Sequence, residues 1–385
     1  APLALPFVPP AAAVGAYLLV ALATGGAVRW CARRYHDDPE GDGETAYRLR
    51  RLRRRGVLVG GGVVAAVTVT FRVGTAAGDA LAGTPAGTAL GDPAAAAVGA
   101  AAAYLVPVAL VVLATRLATV PHRGAARNLR LRYRDVAAWE VERSGVGVVG
   151  LLAAVGAIAA VPAGWPRAVV AVGLAFLATA LAPVALVVAL RTRWPTDDER
   201  HLVADLLPPG VALRVVDNRT RVGSAFAAGV VPGVERVFVT EALFDVLDDD
   251  ELRAVVAHEV GHHERHHVLL RFSLVAVAAA AALGVASVAP DLALAGVLVG
   301  VVPFSVLLAW VVRRTERSAD DYAVRAVGGP ALADALDTLA AHRYVLDTGE
   351  RFAPFAYHPP LRKRIEALRR TGPGGSDGAV DPSAA

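Results

Sequence analysis

The sequence predicts a mainly α-helical, polytopic membrane protein with a water-soluble α+β portion in its C-terminal half. Three observations predict it. The 385-residue chain is 55% hydrophobic and has a mean hydropathy of +0.48, too apolar for an ordinary soluble enzyme and suited to several bilayer spans. Seven apolar stretches reach or approach the roughly 20 residues that cross a bilayer. Two polar pieces flank the last pair of these stretches, and the first contains short strand-like runs.

The seven stretches lie near 11–31, 56–73, 94–120, 145–163, 167–190, 268–288 and 291–312. The second and fourth are short and rich in glycine. A buried soluble helix would explain any one stretch, but one soluble core cannot bury all seven. The first is read as a retained span rather than a signal peptide. A signal peptide carries its positive charges before the apolar run, whereas Ala1–Pro10 has no charged side chain and Arg29, Arg33 and Arg34 follow.

The connections give an orientation. Arg48, Arg50, Arg51, Arg53, Arg54 and Arg55 follow the first stretch, and Arg123, Arg127, Arg130, Arg132 and Arg134 follow the third. Arg191 and Arg193 follow the fifth, and Arg313 and Arg314 the seventh. The alternate connections, Gly74–Pro93, Pro162–Pro166 and Ala289–Asp291, are poor in positive charge. The positive-inside rule then places the N-terminus outside a cell membrane and the polar pieces in the cytoplasm. Trp165 and Trp194 sit at span ends, where interface anchors belong.

The chain divides accordingly. Residues 1–190 form a membrane portion of about five spans, and 191–267 a first soluble piece. Residues 268–312 form a transmembrane hairpin inserted into the soluble domain, and 313–372 a second soluble piece. The Gly/Pro/Ser-rich tail, 373–385, is expected to be disordered. Strands are expected at Val211–Val216, Ala225–Val231 and Arg236–Thr240, separated by turn residues.

Composition also excludes classes. One cysteine, Cys31, rules out an internal disulfide framework and a thiolate zinc site. The net charge of +4 is modest, and its arginines cluster beside apolar stretches, so no nucleic-acid partner is expected. The expected partners are the lipid bilayer and membrane-protein or peptide substrates.

The chemistry is carried by His258-Glu259-Val260-Gly261-His262. Asp248 is a plausible N-cap for a helix opening at Asp249-Asp250-Glu251, acids that suit the positive end of its dipole. On that helix His258 and His262 are four apart and project from one face. Two neutral imidazoles so placed can bind one Zn²⁺ per chain, with Glu259 beside the first as general base. Chance would produce this pattern in on the order of one per cent of such chains.

A catalytic zinc needs a third protein ligand. The metzincin continuation would need glycine at 265 and histidine at 268, but Arg265 and Val268 stand there. Glu316 is the preferred ligand, on a new helix beginning directly after the seventh stretch, because the hairpin returns it beside His262. Asp320, four residues on, can accept a hydrogen bond from a ligand histidine. His266 is a rival ligand, ranked lower because three histidines in line on one helix surround an ion poorly. His263, His266 and His267 are read as a polar collar at the membrane surface.

These residues resemble the integral-membrane zinc metalloproteases that include HtpX-type heat-shock proteases and the CAAX prenyl endoprotease. The elements occur in order over about 200–370: Val237-Phe238-Val239-Thr240 with Leu243 and Asp250-Glu251-Leu252, the HExxH residues with His267, Glu316 with Ala319 and Asp320, and His358-Pro359-Pro360-Leu361 with Arg364-Ile365. The resemblance implies a gluzincin-like fold with His258, His262 and Glu316 as ligands and Glu259 as base. It also implies that His358 or Arg364 stabilises the oxyanion. The family commonly has Asn-Ala-Phe before its edge strand, where this chain has Ser224-Ala225-Phe226. The resemblance implies a membrane endopeptidase, for quality control or for processing prenylated or other specific C-termini. The alternative from another class is a non-catalytic membrane scaffold or transporter holding zinc structurally. The intact Glu259 argues against a scaffold, and the scarcity of charge within the spans argues against a transporter.

Overall fold

The structure, a computed structural model, describes residues 10–34, 42–126, 131–162, 164–217, 223–288, 290–342, 344–345 and 361–371. His358 and the tail lie outside the described residues. By packing, the chain forms two units, 1–175 with 279–293, and 176–278 with 294–385.

The first unit is helical. It holds α1 (Pro10–Arg33), α2 (Asp42–Thr70), α3 (Val73–Ala82), α4 (Pro85–Leu90), α5 (Asp92–Ala118), α6 (Val120–Ala126), α7 (Tyr133–Ala159) and the start of α8 (Trp165–Ala189). Helix α5 packs against α1, α2, α3 and α7. Small residues allow that closeness, as in membrane helix pairs generally: a Cβ on Gly99 would stand 2.5 Å from Gly78 Cα. Ala13, Tyr17, Ala21, Val64 and Val111 form a buried cluster. The Tyr17 hydroxyl pairs with Thr68 Oγ1 at 2.8 Å. Arg116 Nε lies 2.6 Å from the Glu140 carboxylate, joining α5 to α7. Large apolar side chains such as Leu22, Leu58, Val69 and Val149 face outward, as a lipid-facing surface requires.

Each of the seven apolar stretches overlaps a helix, and the fourth runs past the end of α7 at Ala159. Among the described residues, α1 (from Ala12), α5, α7 and α8 are each long and apolar enough to cross a membrane. Residues 48–70 with α3 form a fifth candidate, bent by 67° at Phe71–Arg72. The chain is therefore a multi-pass membrane protein. Gly74–Pro93, expected as a connection, instead contains α3 and α4. The Thr84 hydroxyl caps α4 by accepting from Gly87 N–H, and Pro85 is preset for a first helical turn.

The second unit is α+β. After the rest of α8 come β1 (Thr192–Arg193), α9 (Asp197–Val203), β2 (Ala212–Val216), β3 (Ala225–Ala228), β4 (Arg236–Thr240) and α10 (Glu241–Phe244). There follow α11 (Asp249–Glu264), the start of α12 (His267–Val288), α13 (Pro290–Val327) from residue 294 onward, α14 (Gly329–Ala341) and α15 (Leu361–Arg370), while residues 279–293 of α12 and α13 belong to the first unit. The sheet order is β1-β2-β4-β3, with β2 and β4 parallel and β3 an antiparallel edge strand. The expected strands are present, but β3 ends early. Gly229 has φ +112°, and a Cβ there would meet Glu235 Cα at 2.9 Å. Leu213, Val237, Val239, Leu243, Leu252, Val256 and Val260 fuse the sheet to α11 in one core.

Asp248 caps α11 as expected. Its side chain accepts from Glu251 N–H at 2.8 Å, and Glu251 accepts from Asp248 N–H at 3.1 Å. One expectation is corrected. Glu316 does not open a new helix, because α13 runs without a break from the last apolar stretch through Glu316 and Asp320 to Val327. No glycine or proline stands between Val312 and Val327 to stop it.

Candidate metal centre

The site is built where α11 and α13 approach each other at Gly261. A Cβ on Gly261 would lie 2.9 Å from Tyr322 Cβ and 3.2 Å from Ala319 Cα. The glycine of the HExxH segment and the alanine before Asp320 thus let the two backbones meet. That meeting brings Glu316 opposite His258 and His262. Glu316 Oε2 is 3.8 Å from His258 Nε2, and Oε1 is 3.5 Å from His262 Nε2. A ligand atom from each of the three lies within 4.8 Å of the others, and all three residues are buried.

These residues fit a metal ion. Metal–ligand bonds near 2.0–2.1 Å in a tetrahedron put neighbouring ligand atoms about 3.3 Å apart, against 3.5 and 3.8 Å between the Glu316 carboxylate and the two imidazoles. The donor chemistry agrees as well. Burial, with His258 nearby, depresses the His262 pKa to about 3. Its imidazole is therefore neutral near pH 7, the form that ligates.

Each ligand histidine is held from behind through its other nitrogen. His258 Nδ1 is 2.9 Å from Asp320 Oδ1. Burial opposes ionisation of Asp320, but its bonds to His258 and Arg364 hold its carboxyl below the usual range. Arg364 donates from Nε to Asp320 Oδ2 at 2.6 Å and from Nη2 to Oδ1. The same Nη2 is 3.3 Å from His258 Nδ1. His262 Nδ1 faces His267 Nδ1 at 2.9 Å, so one ring donates and the other accepts.

Glu259 follows the first ligand. Burial raises its carboxyl above the ordinary glutamate range; His258 pulls the other way, and Glu316 adds to the rise. The Ala227 N–H on edge strand β3 donates to it and offsets part of the shift. The backbone of β3 is thereby turned toward the site.

Two sequence expectations, for His263 and His267, are revised. His263 and His267 are buried rather than part of a polar surface collar. His263 Nε2 meets the Arg236 carbonyl at 3.1 Å, and His267 supports His262. His266 is exposed and takes φ +50° between α11 and α12, away from the three-ligand cluster.

Peptidase family M48 matches residues 205–372. A protease HtpX homolog of Trichormus variabilis is 31% identical, over 43% of this chain and 68% of that protein. The chain belongs to peptidase family M48. A protease HtpX homolog of Pyrococcus abyssi is 33% identical over 39% of this chain and 64% of its own length. That of Methanopyrus kandleri is 32% identical over 42% and 61%. The M48 chain thus spans less than two thirds of the length of these two archaeal relatives. A crystal structure of S. mikatae Ste24p shares the fold, with TM-score 0.59 and 15% identity over 94% of this chain and 99% of that one.

The M48 region contains all three ligand candidates together with Asp320 and Arg364. Sequence reasoning missed Arg271, which donates to Glu316 Oε1 at 2.9 Å from the start of α12. A signal was available, because a charged residue within an apolar stretch marks a site that needs a partner.

Proposed function

We propose that this M48 protein is a zinc-dependent membrane endopeptidase. The observation that carries the reading is two imidazole nitrogens and one carboxylate converging within 4.8 Å, with Glu259 in the same turn of α11 as His258. His258, His262 and Glu316 are the zinc ligands in this reading, and Asp320 fixes the orientation of His258. Zinc bound there would supply acidity to a water molecule and polarise a substrate carbonyl.

The chain's own residues do the rest. Glu259, with its basicity raised by burial, takes a proton from the attacking water and returns it to the leaving amine. An extended peptide adds to the outer edge of β3, beside Ala227, so that its scissile carbonyl faces Glu259. Arg364 is engaged on Asp320 and His258, which favours a supporting role over direct contact with the oxyanion. His358 is the remaining proposal for that contact.

The arginine-rich connections support an external N-terminus and a cytoplasmic protease domain, 191–267 with 313–372, into which the hairpin 268–312 is inserted. About seven spans, five before the HExxH helix and two after it, complete this reading. Substrates are then membrane proteins, or peptides near the cytoplasmic leaflet, and quality control is the favoured role. The test is Glu259→Gln in the purified full chain, assayed for bound zinc and for cleavage of casein and of a prenylated peptide. Retained zinc with lost cleavage is expected. Unchanged cleavage overturns the mechanism, and wild-type cleavage of the prenylated peptide alone transfers the role to C-terminal processing.

A further inference from the structure

Arg271 sits in the second turn of α12, where the chain has already become apolar. Its guanidinium is committed in two directions. Nη2 donates to Glu316 Oε1 at 2.9 Å, while Nε donates at 3.0 Å to Thr315 Oγ1, which Nη2 also reaches. The Thr315 hydroxyl donates its own proton to the Val312 carbonyl at 2.8 Å. Its lone pairs are therefore what Arg271 meets, and the hydroxyl is a fixed acceptor. Thr315 and Glu316 are buried at 3% and 5% exposure. A planar fork gripping a fixed hydroxyl and a neighbouring carboxylate has little freedom to turn, which a lysine ammonium could not reproduce.

We propose that Arg271 is a positioning residue for Glu316, restraining its carboxylate through Oε1 so that it would serve the metal through one oxygen rather than two. The inference rests on the metal reading above. Carboxylate ligands bind through one oxygen or two, and a second oxygen would take the position that a catalytic zinc keeps open. Ligating carboxylates are ordinarily restrained by outer hydrogen bonds for this purpose. Here the restraint comes from the helix that also carries His267, one turn earlier, against His262. Two of the three ligands are thus steadied from one end of α12.

The test uses the full chain in detergent, as wild type, Arg271→Met, Arg271→Lys and Thr315→Val. Zinc affinity is read by chelator competition, and coordination by the visible spectrum of the Co²⁺-loaded protein, which is stronger for four-coordinate than for five-coordinate cobalt. Arg271→Met should weaken zinc binding by about 10–100-fold and reduce the cobalt absorption. Arg271→Lys should recover part of both. Thr315→Val, which keeps the charge and loses only the anchor, should move the spectrum the same way by less. Wild-type affinity and spectrum in Arg271→Met overturn the proposal. Tighter zinc binding in that variant also overturns it, since Arg271 would then act only as a competing charge. If Arg271→Met fails to fold, the Thr315→Val and Arg271→Lys spectra decide in its place, and unchanged spectra overturn the proposal. A wild type that binds no stoichiometric metal refutes the metal reading instead.

Discussion

Replacing Gly261 with alanine should separate the metal site from the stability of the fold. The new Cβ would lie 2.9 Å from Tyr322 Cβ and 3.2 Å from Ala319 Cα. Neither neighbour can rotate away, because one is backbone and the other is bonded to it. Relaxed carbon contacts stand at roughly 3.5–4.0 Å, so α13 must retreat from α11 by roughly 0.6–1.1 Å. Glu316 and Asp320 move with it, away from His258 and His262. Misplacement on the order of 1 Å costs about 100-fold in catalysis, so peptidase activity should fall tens-fold, with weaker zinc binding. Global stability should change far less. Overpacking costs about 1–3 kcal/mol, and exchanging glycine for alanine within a helix returns about 1 kcal/mol. The assays are chelator competition, casein cleavage and thermal unfolding of the detergent-solubilised chain. Wild-type affinity and activity in Gly261→Ala would refute the claim that this close approach sets the ligand spacing.

Other outcomes follow from the same geometry. Asp320→Asn should weaken zinc binding by about 10–100-fold, because an amide can no longer hold both His258 and the buried Arg364 by charge; chelator competition measures it. Asp248→Ala removes the cap of α11 and should cost about 1 kcal/mol of stability, seen as a lower melting temperature with zinc stoichiometry retained. The metal-free protein should lose stability as pH falls from about 6.5 toward 3. Unfolded His262 takes up a proton near the ordinary histidine pKa, whereas folded His262 resists down to about 3, so protons favour the unfolded chain across that window. Melting temperatures measured against pH should show this slope, and His262→Gln should flatten it. Gly229→Ala, at φ +112° and against the Glu235 backbone, should destabilise the end of β3 and lower the melting temperature.

Much of the architecture was legible because it rests on periodicity and composition. The apolar stretches, the capped helix at Asp248 and the four-residue histidine spacing all leave local signatures. Glu316 was legible as a candidate because the HExxH histidines call for a third ligand and an acidic residue stands directly after the last apolar stretch; the structure places it beside both histidines. The helices α3 and α4 were hidden in Gly74–Pro93 because both are short and made largely of glycine, alanine and threonine, with Pro85 opening the second, a composition that reads as a loop. The unbroken α13 was obscured by a change from apolar to charged residues, which alters solvent but not helical propensity. His267 lay five residues past His262, a spacing that pairs on no regular helix. Only the left-handed turn at His266 brings the two rings together. Arg271 contacts a residue 45 positions away, and no local pattern encodes such a partner.

The continuity of α13 has a mechanical consequence. Its 38 residues make a rod about 57 Å long, with the apolar return stretch at one end and Glu316 and Asp320 farther along. Pro303 removes one rung of its hydrogen-bond ladder, and from there to Glu316 the rod has no joint. A slide of that segment by one residue's rise, about 1.5 Å, would carry Glu316 well beyond the roughly 0.5 Å tolerance of a working site. With that apolar stretch in the bilayer, as proposed above, bilayer thickness and lateral pressure would act on the spacing of the site, and the lipid in which the protein is assayed would belong among its reaction conditions.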